Sequence, residues 1–266
     1  MSQASLAKRL LRLLRIILHG MRAWWILHVH FPRADNHRKN AHIQQWSRTL
    51  LRILGVHVQV SNAPASIAGP CVLVGNHVSW LDIFLIYTQT PGLFVAKSEI
   101  RSWPLIGGLI EKVGTLFIER GRSHHARRMN AQIIETISAG RLLCLFPEGS
   151  TTEGNSLLPF HAALLQPAIE AHATLMPVAL RYTTADGHLC TAASYAGETT
   201  LLQSVWRIVS ERQLVAELHF LDTLDAAQTG RRALARTLEE MIAQRLNIPV
   251  NRKRTGRSDD PPDALP

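Results

Sequence analysis

Apolar positions along the chain follow two periods. Between Leu6 and His28 they recur at helical spacing, so that Leu6, Leu10, Leu13, Leu14, Ile17, Met21, Trp24 and Trp25 form one stripe. Lys8, Arg9, Arg12, Arg15, His19 and Arg22 gather opposite. Phe31-Pro32 ends this segment. A second helical pattern, from about Arg38 to Leu54, stops at Gly55, which suits a left-handed helix terminus. Val56, Val58 and Val60 then alternate with polar residues, as in a half-buried strand. A Pro/Ala/Ser/Gly loop from Asn62 to Pro70 leads into a continuous apolar run, Cys71 to Val74, which reads as a buried strand closed by the turn-forming pair Gly75-Asn76.

Beyond Asp82 the two patterns alternate. Helices are expected over Ile83–Tyr87, Pro104–Val113, His125–Ser138, Phe160–Ala171, Leu201–Glu211 and Gly230–Leu246, and strands over Leu93–Ala96, Thr115–Ile118, Leu142–Phe146, Leu175–Tyr182 and Leu214–Phe220. Strands joined by helices predict an α/β domain with a central, mostly parallel sheet flanked by helices. The organisation expected is an amino-terminal amphipathic helical hairpin over residues 1–54, a catalytic domain over 55–248 and a disordered tail over 249–266.

Charge sharpens the picture at one end. The net charge is +9, and residues 1–81 carry ten Lys/Arg against the single acid Asp35; the remaining 19 basic and 19 acidic residues cancel. A basic excess confined to the amino end points to a polyanionic surface. With a Leu/Ile stripe and a Trp pair on the same helix, an anionic membrane fits better than nucleic acid, for which no zinc finger or RNA-binding motif is present. A spanning helix needs about 20 mostly apolar residues, and Arg15, His19 and Arg22 interrupt every such window. The same stripe would also serve a helix packed on the protein's own body, and the two roles are compatible. The three cysteines, Cys71, Cys144 and Cys190, read as buried thiols, and no Cys/His spacing suggests a metal site.

Chemistry-bearing residues follow three of the expected strands. His77 and Asp82 lie just past the first, and such a pair is what general-base catalysis uses, the acid fixing the ring's tautomer. Gly114-Thr-Leu-Phe-Ile-Glu-Arg120 delivers a guanidinium, suited to phosphate or carboxylate, beyond another. Phe146-Pro-Glu-Gly-Ser-Thr151 places Glu148 in a tight turn, followed by the hydroxyls and amides of Ser150 and Thr151, which could receive an oxyanion.

These three blocks, with Met176-Pro-Val178 as a fourth, resemble the sequence blocks of the glycerolipid acyltransferases, the family that includes 1-acylglycerol-3-phosphate acyltransferase. Phe94-Val-Ala-Lys97-Ser-Glu99 and Trp103-Pro-Leu-Ile-Gly107 are similar to that family too, and the resemblance spans about Trp46 to Thr183. It implies the glycerol-3-phosphate acyltransferase fold, with His77 as base and Asp82 as its orienting partner. It further implies that Gly114 and Arg120 bind the acceptor's head group, that Glu148, Gly149 and Ser150 hold its glycerol portion, and that Lys97 lies near the pocket. The reaction implied is transfer of an acyl group from acyl-coenzyme A or acyl carrier protein to a lysolipid hydroxyl, with no cofactor or metal, at the cytoplasmic face of a bacterial inner membrane. Ser79 has no base of its own and takes no covalent role.

The third block departs from the phosphatidate-forming pattern. Thr151-Thr152-Glu153-Gly154 stands where an Arg usually follows, and Phe160-His161-Ala162-Ala163 replaces Phe-Lys-Lys-Gly. Here the chain resembles the branch that acylates lyso-ornithine lipid. The first expectation for the acceptor is 1-acylglycerol-3-phosphate, giving phosphatidic acid for phospholipid biosynthesis; the alternative is lyso-ornithine lipid or another lysolipid. A membrane-surface protein without activity and a thioesterase are the competing classes, and the absence of a Gly-x-Ser-x-Gly elbow counts against an α/β-hydrolase.

Overall fold

The computed structural model describes residues 3–67, 69–97, 112–118, 123–228 and 230–252. Its helices are α1 (Leu6–Trp25), α2 (Asn36–Leu54), α3 (Leu81–Tyr87), α4 (Ser123–Ser138), α5 (Gln166–Glu170), α6 (Leu201–Ser210) and α7 (Arg231–Leu246). Its strands are β1 (Val56–Ser61), β2 (Cys71–Gly75), β3 (Leu93–Lys97), β4 (Leu116–Ile118), β5 (Leu143–Leu145), β6 (Thr174–Thr184), β7 (Leu214–Phe220) and β8 (Leu224–Asp225). The sheet runs β1-β7-β6-β2-β5-β3-β4, with β8 beside β6. All its pairings are parallel except β6–β7 and β6–β8. The α/β architecture read from the sequence is the one formed.

The central strands explain themselves. Cys71 and Leu73 of β2 pack on one side with α2, α3 and α6, while Val72 and Val74 pack on the other with α4, α5 and α7. A strand covered on both faces must be apolar throughout. Leu50, Leu51 and Leu54 of α2 belong to the first of these cores, so α2 is a wall of the sheet as well as half of the amino-terminal hairpin.

Helix boundaries follow local chemistry. Asp35 caps α2 by accepting the Arg38 N–H at 2.8 Å, and Gly55 ends it at φ +81°. The segment expected as one helix over Phe160–Ala171 is instead a 3-10 turn (Ala162–Leu165) followed by the short α5. Pro167 lacks an N–H and cannot sit inside a continuous helix. The expected Pro104–Val113 helix lies outside the described residues, Lys112 and Val113 excepted.

Residues 249–252, expected to belong to a disordered tail, are described, and two of them are hydrogen-bonded to the body. Leu157 is fully buried, and its N–H donates to the Pro249 carbonyl (3.0 Å) while its carbonyl accepts the Asn251 N–H (2.7 Å). Without that pairing both groups would be buried unsatisfied. Residues 253–266 lie outside the described residues.

Candidate functional site

The site forms where β2 ends against β6. Gly75 stays within the strand; a side chain there would crowd Val178, whose Cγ2 lies 3.0 Å from the Cβ position. The expected Gly75-Asn76 turn is thus a different device. Asn76 is fully buried, and its side-chain amide donates to the Leu180 carbonyl (3.0 Å) and accepts the Leu180 N–H (2.8 Å). This side chain continues the β2–β6 ladder and releases the backbone at His77.

Asp82 follows in the first turn of α3, with no exposed surface. Its Oδ2 accepts from His77 Nδ1 (2.7 Å), Val78 N (2.8 Å) and Ser79 N (2.9 Å), and its Oδ1 accepts the Tyr182 hydroxyl (2.6 Å). Four donors around one carboxylate fix its position. The proton therefore sits on Nδ1 of His77, and Nε2 is the lone-pair nitrogen. The ring stacks on Phe146 (4.2 Å between centroids, 3° between planes), which stacks in turn on Phe94.

The backbone of His77 is clamped on both sides. Its N–H donates to Glu148 Oε1 (2.7 Å), and its carbonyl accepts the Thr152 N–H (2.9 Å). The other oxygen of Glu148 accepts the Leu158 N–H at 2.8 Å. Glu148 is 3% exposed, and burial pushes its carboxyl up to about 8, against the lowering by its two backbone donors. Each oxygen of Glu148 is therefore engaged by one backbone N–H.

Ser79 is fully buried and its Oγ accepts the Leu81 N–H, which leaves it no nucleophilic role. The N–H groups of Val78 and Ser79 are engaged by Asp82, and the Thr151 hydroxyl donates to the Tyr195 carbonyl (2.7 Å), so none of the three is directed at an oxyanion. Ser150 is exposed beside Gly149, whose N–H closes a turn to the Phe146 carbonyl at 3.1 Å. Gly114 has φ +90°, and a Cβ there would meet Leu93 at 2.8 Å; its requirement for glycine is met by the backbone itself. Arg120 lies outside the described residues, as does the side chain of Lys97, which closes β3.

By sequence Asn76 is given only a turn, and Tyr182 and Thr152 are assigned no part in the site. Tyr182 had one available signal: a tyrosine in an otherwise apolar strand needs a partner for its hydroxyl.

On α1 the structure reverses the simplest expectation. The buried residues are Arg12 (7% exposed), His19 (6%) and Ala23, while Leu6, Leu10, Leu14, Ile17, Met21, Trp24 and Trp25 are exposed. Arg12 donates to the carbonyls of Val209 (2.9 Å), Glu211 (2.7 Å) and Arg212 (3.4 Å) at the end of α6. His19 stacks on Trp46 of α2, and each bonds the other's carbonyl, at 3.0 and 3.2 Å. Arg12 and His19 hold the helix to the body together with Leu13 and Ile16, which pack on the core, and the rest of the apolar stripe faces out.

An oriented imidazole at the end of a parallel sheet, with a neighbouring buried acid and no nucleophilic side chain beside it among the described residues, is an arrangement able to act as a general base in group transfer. Known proteins narrow the class. A family model described as Acyltransferase matches residues 56–181. A 1-acyl-sn-glycerol-3-phosphate acyltransferase of Neisseria meningitidis is 37% identical over 205 residues, covering 77% of this chain and 80% of that protein. A lyso-ornithine lipid O-acyltransferase of Pseudomonas aeruginosa is 36% identical over 246 residues, covering 91% and 93%. The crystal structure of a 1-acyl-sn-glycerophosphate acyltransferase from Thermotoga maritima shares the fold, with a TM-score of 0.64 at 19% identity over 89% of this chain and 96% of that one. The chain belongs to the acyltransferase family.

Proposed function

We propose that this protein transfers a fatty acyl group from an acyl thioester to the free hydroxyl of a lysolipid. The observation that carries the reading is the His77 Nδ1–Asp82 Oδ2 contact of 2.7 Å within a carboxylate held by three further donors. Nε2 takes the proton from the acceptor hydroxyl as its oxygen attacks the thioester carbonyl. A tetrahedral oxyanion forms and collapses, the carbon–sulfur bond breaks, and the imidazolium returns the proton to the leaving thiolate. Asp82 steadies the imidazolium in between, and Glu148 acts through the His77 backbone as a positioning residue.

The acceptor proposed first is 1-acylglycerol-3-phosphate, with Arg120 facing its phosphate, Lys97 nearby, and Gly149 and Ser150 at its glycerol. The Neisseria relative supports this acceptor. A lyso-ornithine lipid is the second reading, supported by the 91% of the chain matched by the Pseudomonas relative and by the missing basic residues after Glu148. The donor carrier is acyl-coenzyme A or acyl carrier protein.

The setting proposed is a membrane surface, the cytoplasmic face of the inner membrane, met by the exposed apolar side of α1. Leu202 (83% exposed) and Trp206 (42%) of α6 continue that surface, with the Arg9 guanidinium 5.6 Å from the Trp206 ring. Among the described residues no helix is long and apolar enough to cross a membrane. The purified protein, given an acyl thioester and each lysolipid in turn, should release thiol only with an acceptor present. Equal release without any acceptor would replace the transferase reading with a thioesterase.

A further inference from the structure

Between α1, the end of α2 and the chain entering β7 lies a cavity of about 380 Å³ whose charged lining is Lys8, Arg12, Arg15, Arg52 and Arg212, with His57 beside them. Its size falls in the range of about 300–1,000 Å³ usual for small-molecule pockets. We infer that this cavity is a binding site for the phosphate head group of an anionic phospholipid, separate from the catalytic acceptor site. The inference rests on the membrane reading above and adds to it a defined lipid site.

Three observations converge. The first is charge: among the described residues no carboxylate lines the cavity, so its guanidinium groups are available to a phosphate, which they grip in bidentate fashion. Arg12 is the exception, because backbone carbonyls already hold it. It serves as part of the wall.

The second is continuity with the apolar side of α1. Leu11 lines the cavity and is also one of the exposed leucines of that side. An amphiphile with its chains along Leu11, Leu14 and Leu18 would bring its head group to the cavity mouth.

The third is position. Gly75 pairs with Val178 of β6, and β6 runs on past the end of β2 until Thr184 pairs with Leu214, which itself pairs with Val56. The cavity residues Gly55 and Gln213 directly precede Val56 and Leu214. The cavity therefore opens at the end of the sheet toward which β2 delivers His77. A lipid held there would seat the protein with that end on the bilayer.

The test measures partition of the full chain onto phosphatidylcholine vesicles with and without phosphatidylglycerol. Arg52→Gln with Arg212→Gln should weaken partition onto the phosphatidylglycerol vesicles by about 25-fold, roughly fivefold for each cation near an anionic surface. Partition onto pure phosphatidylcholine, driven by the apolar side of α1, should not change. Lys8→Gln with Arg15→Gln, on the opposite wall, should show the same selective loss if the first pair alters folding. The control pair Arg231→Gln with Arg232→Gln, on α7, should bind as wild type. An equal loss in the control pair would mean diffuse charge attraction and overturn the site. So would an unchanged cavity variant, or displacement of the protein from vesicles by inorganic phosphate at low concentration. Intact vesicle binding by the cavity variant, together with lost turnover on acyl carrier protein, would assign the cavity to an acidic protein instead. Failure of the wild type to bind either vesicle would sink the membrane reading itself.

Discussion

Helix α1 and the loop from His77 to Asp82 both bury charged and polar side chains, with opposite results. In the loop, burial turns inward: Asp82 disappears entirely, collects four donors and leaves one imidazole nitrogen available for chemistry. On α1, burial turns the helix inside out, because Arg12 and His19 satisfy carbonyls of the body and leave a row of leucines and tryptophans facing away. A buried polar group is costly unless bonded. The two regions show what a bonded one can achieve: a fixed reacting group in one place, a displayed apolar surface in the other. The fixed imidazole and the exposed apolar side of α1 thus depend on the same physics.

Breaking the first region should have the larger effect. Asp82→Asn keeps the side chain's shape but replaces an anion that accepts four bonds. The amide cannot hold the Nδ1 tautomer or steady an imidazolium, and turnover should fall by roughly 10²–10⁴, the usual worth of a positioned base. Initial rates with saturating thioester would read this, and a loss under tenfold would show that the acid is dispensable.

Breaking the second region should leave the chemistry intact and loosen the helix. Arg12→Ala removes a guanidinium from the carbonyls of Val209 and Glu211, each bond to a charged group being worth about 1.5–3 kcal/mol. A lower melting temperature, with faster hydrogen exchange confined to α1 and the end of α6, is the expected outcome. Wild-type exchange would mean that Arg12 does not hold the helix.

Glu148 gives a finer distinction, since its two oxygens accept the N–H groups of His77 and Leu158. Its carboxyl is raised in the folded state from 4.5 to about 8, so the folded chain holds this proton more tightly than the unfolded one. The stability that results is complete below about pH 4.5 and is lost as the pH climbs toward 8. Glu148→Gln should remove that slope, at most about 1.4 kcal/mol per pH unit for one proton. Denaturation at several pH values would show it; an unchanged slope would place the proton elsewhere.

Much of this was legible in the sequence, and the remainder was not for definable reasons. β2 could be read from Cys71–Val74 because a strand covered on both faces leaves no polar position. The end of α2 at Gly55 and the His77–Asp82 pair are likewise local signals. The facing of α1 is not local: a helical wheel divides the sides but cannot say which one meets the body. That is settled by carbonyls some 200 residues away. Tyr182 stands 100 residues from its carboxylate, and the His77 N–H that Glu148 accepts lies 71 positions before it. The break in the helix expected over 160–171 has a local signal in Pro167.

The most direct test of the account is the turnover of His77→Ala on vesicles carrying the lysolipid acceptor, followed by thiol release from the acyl thioester. With Nε2 as the base, the variant should partition onto those vesicles like wild type while acyl transfer falls by at least about 10²-fold. Near-normal transfer by a folded, vesicle-bound His77→Ala protein would contradict it.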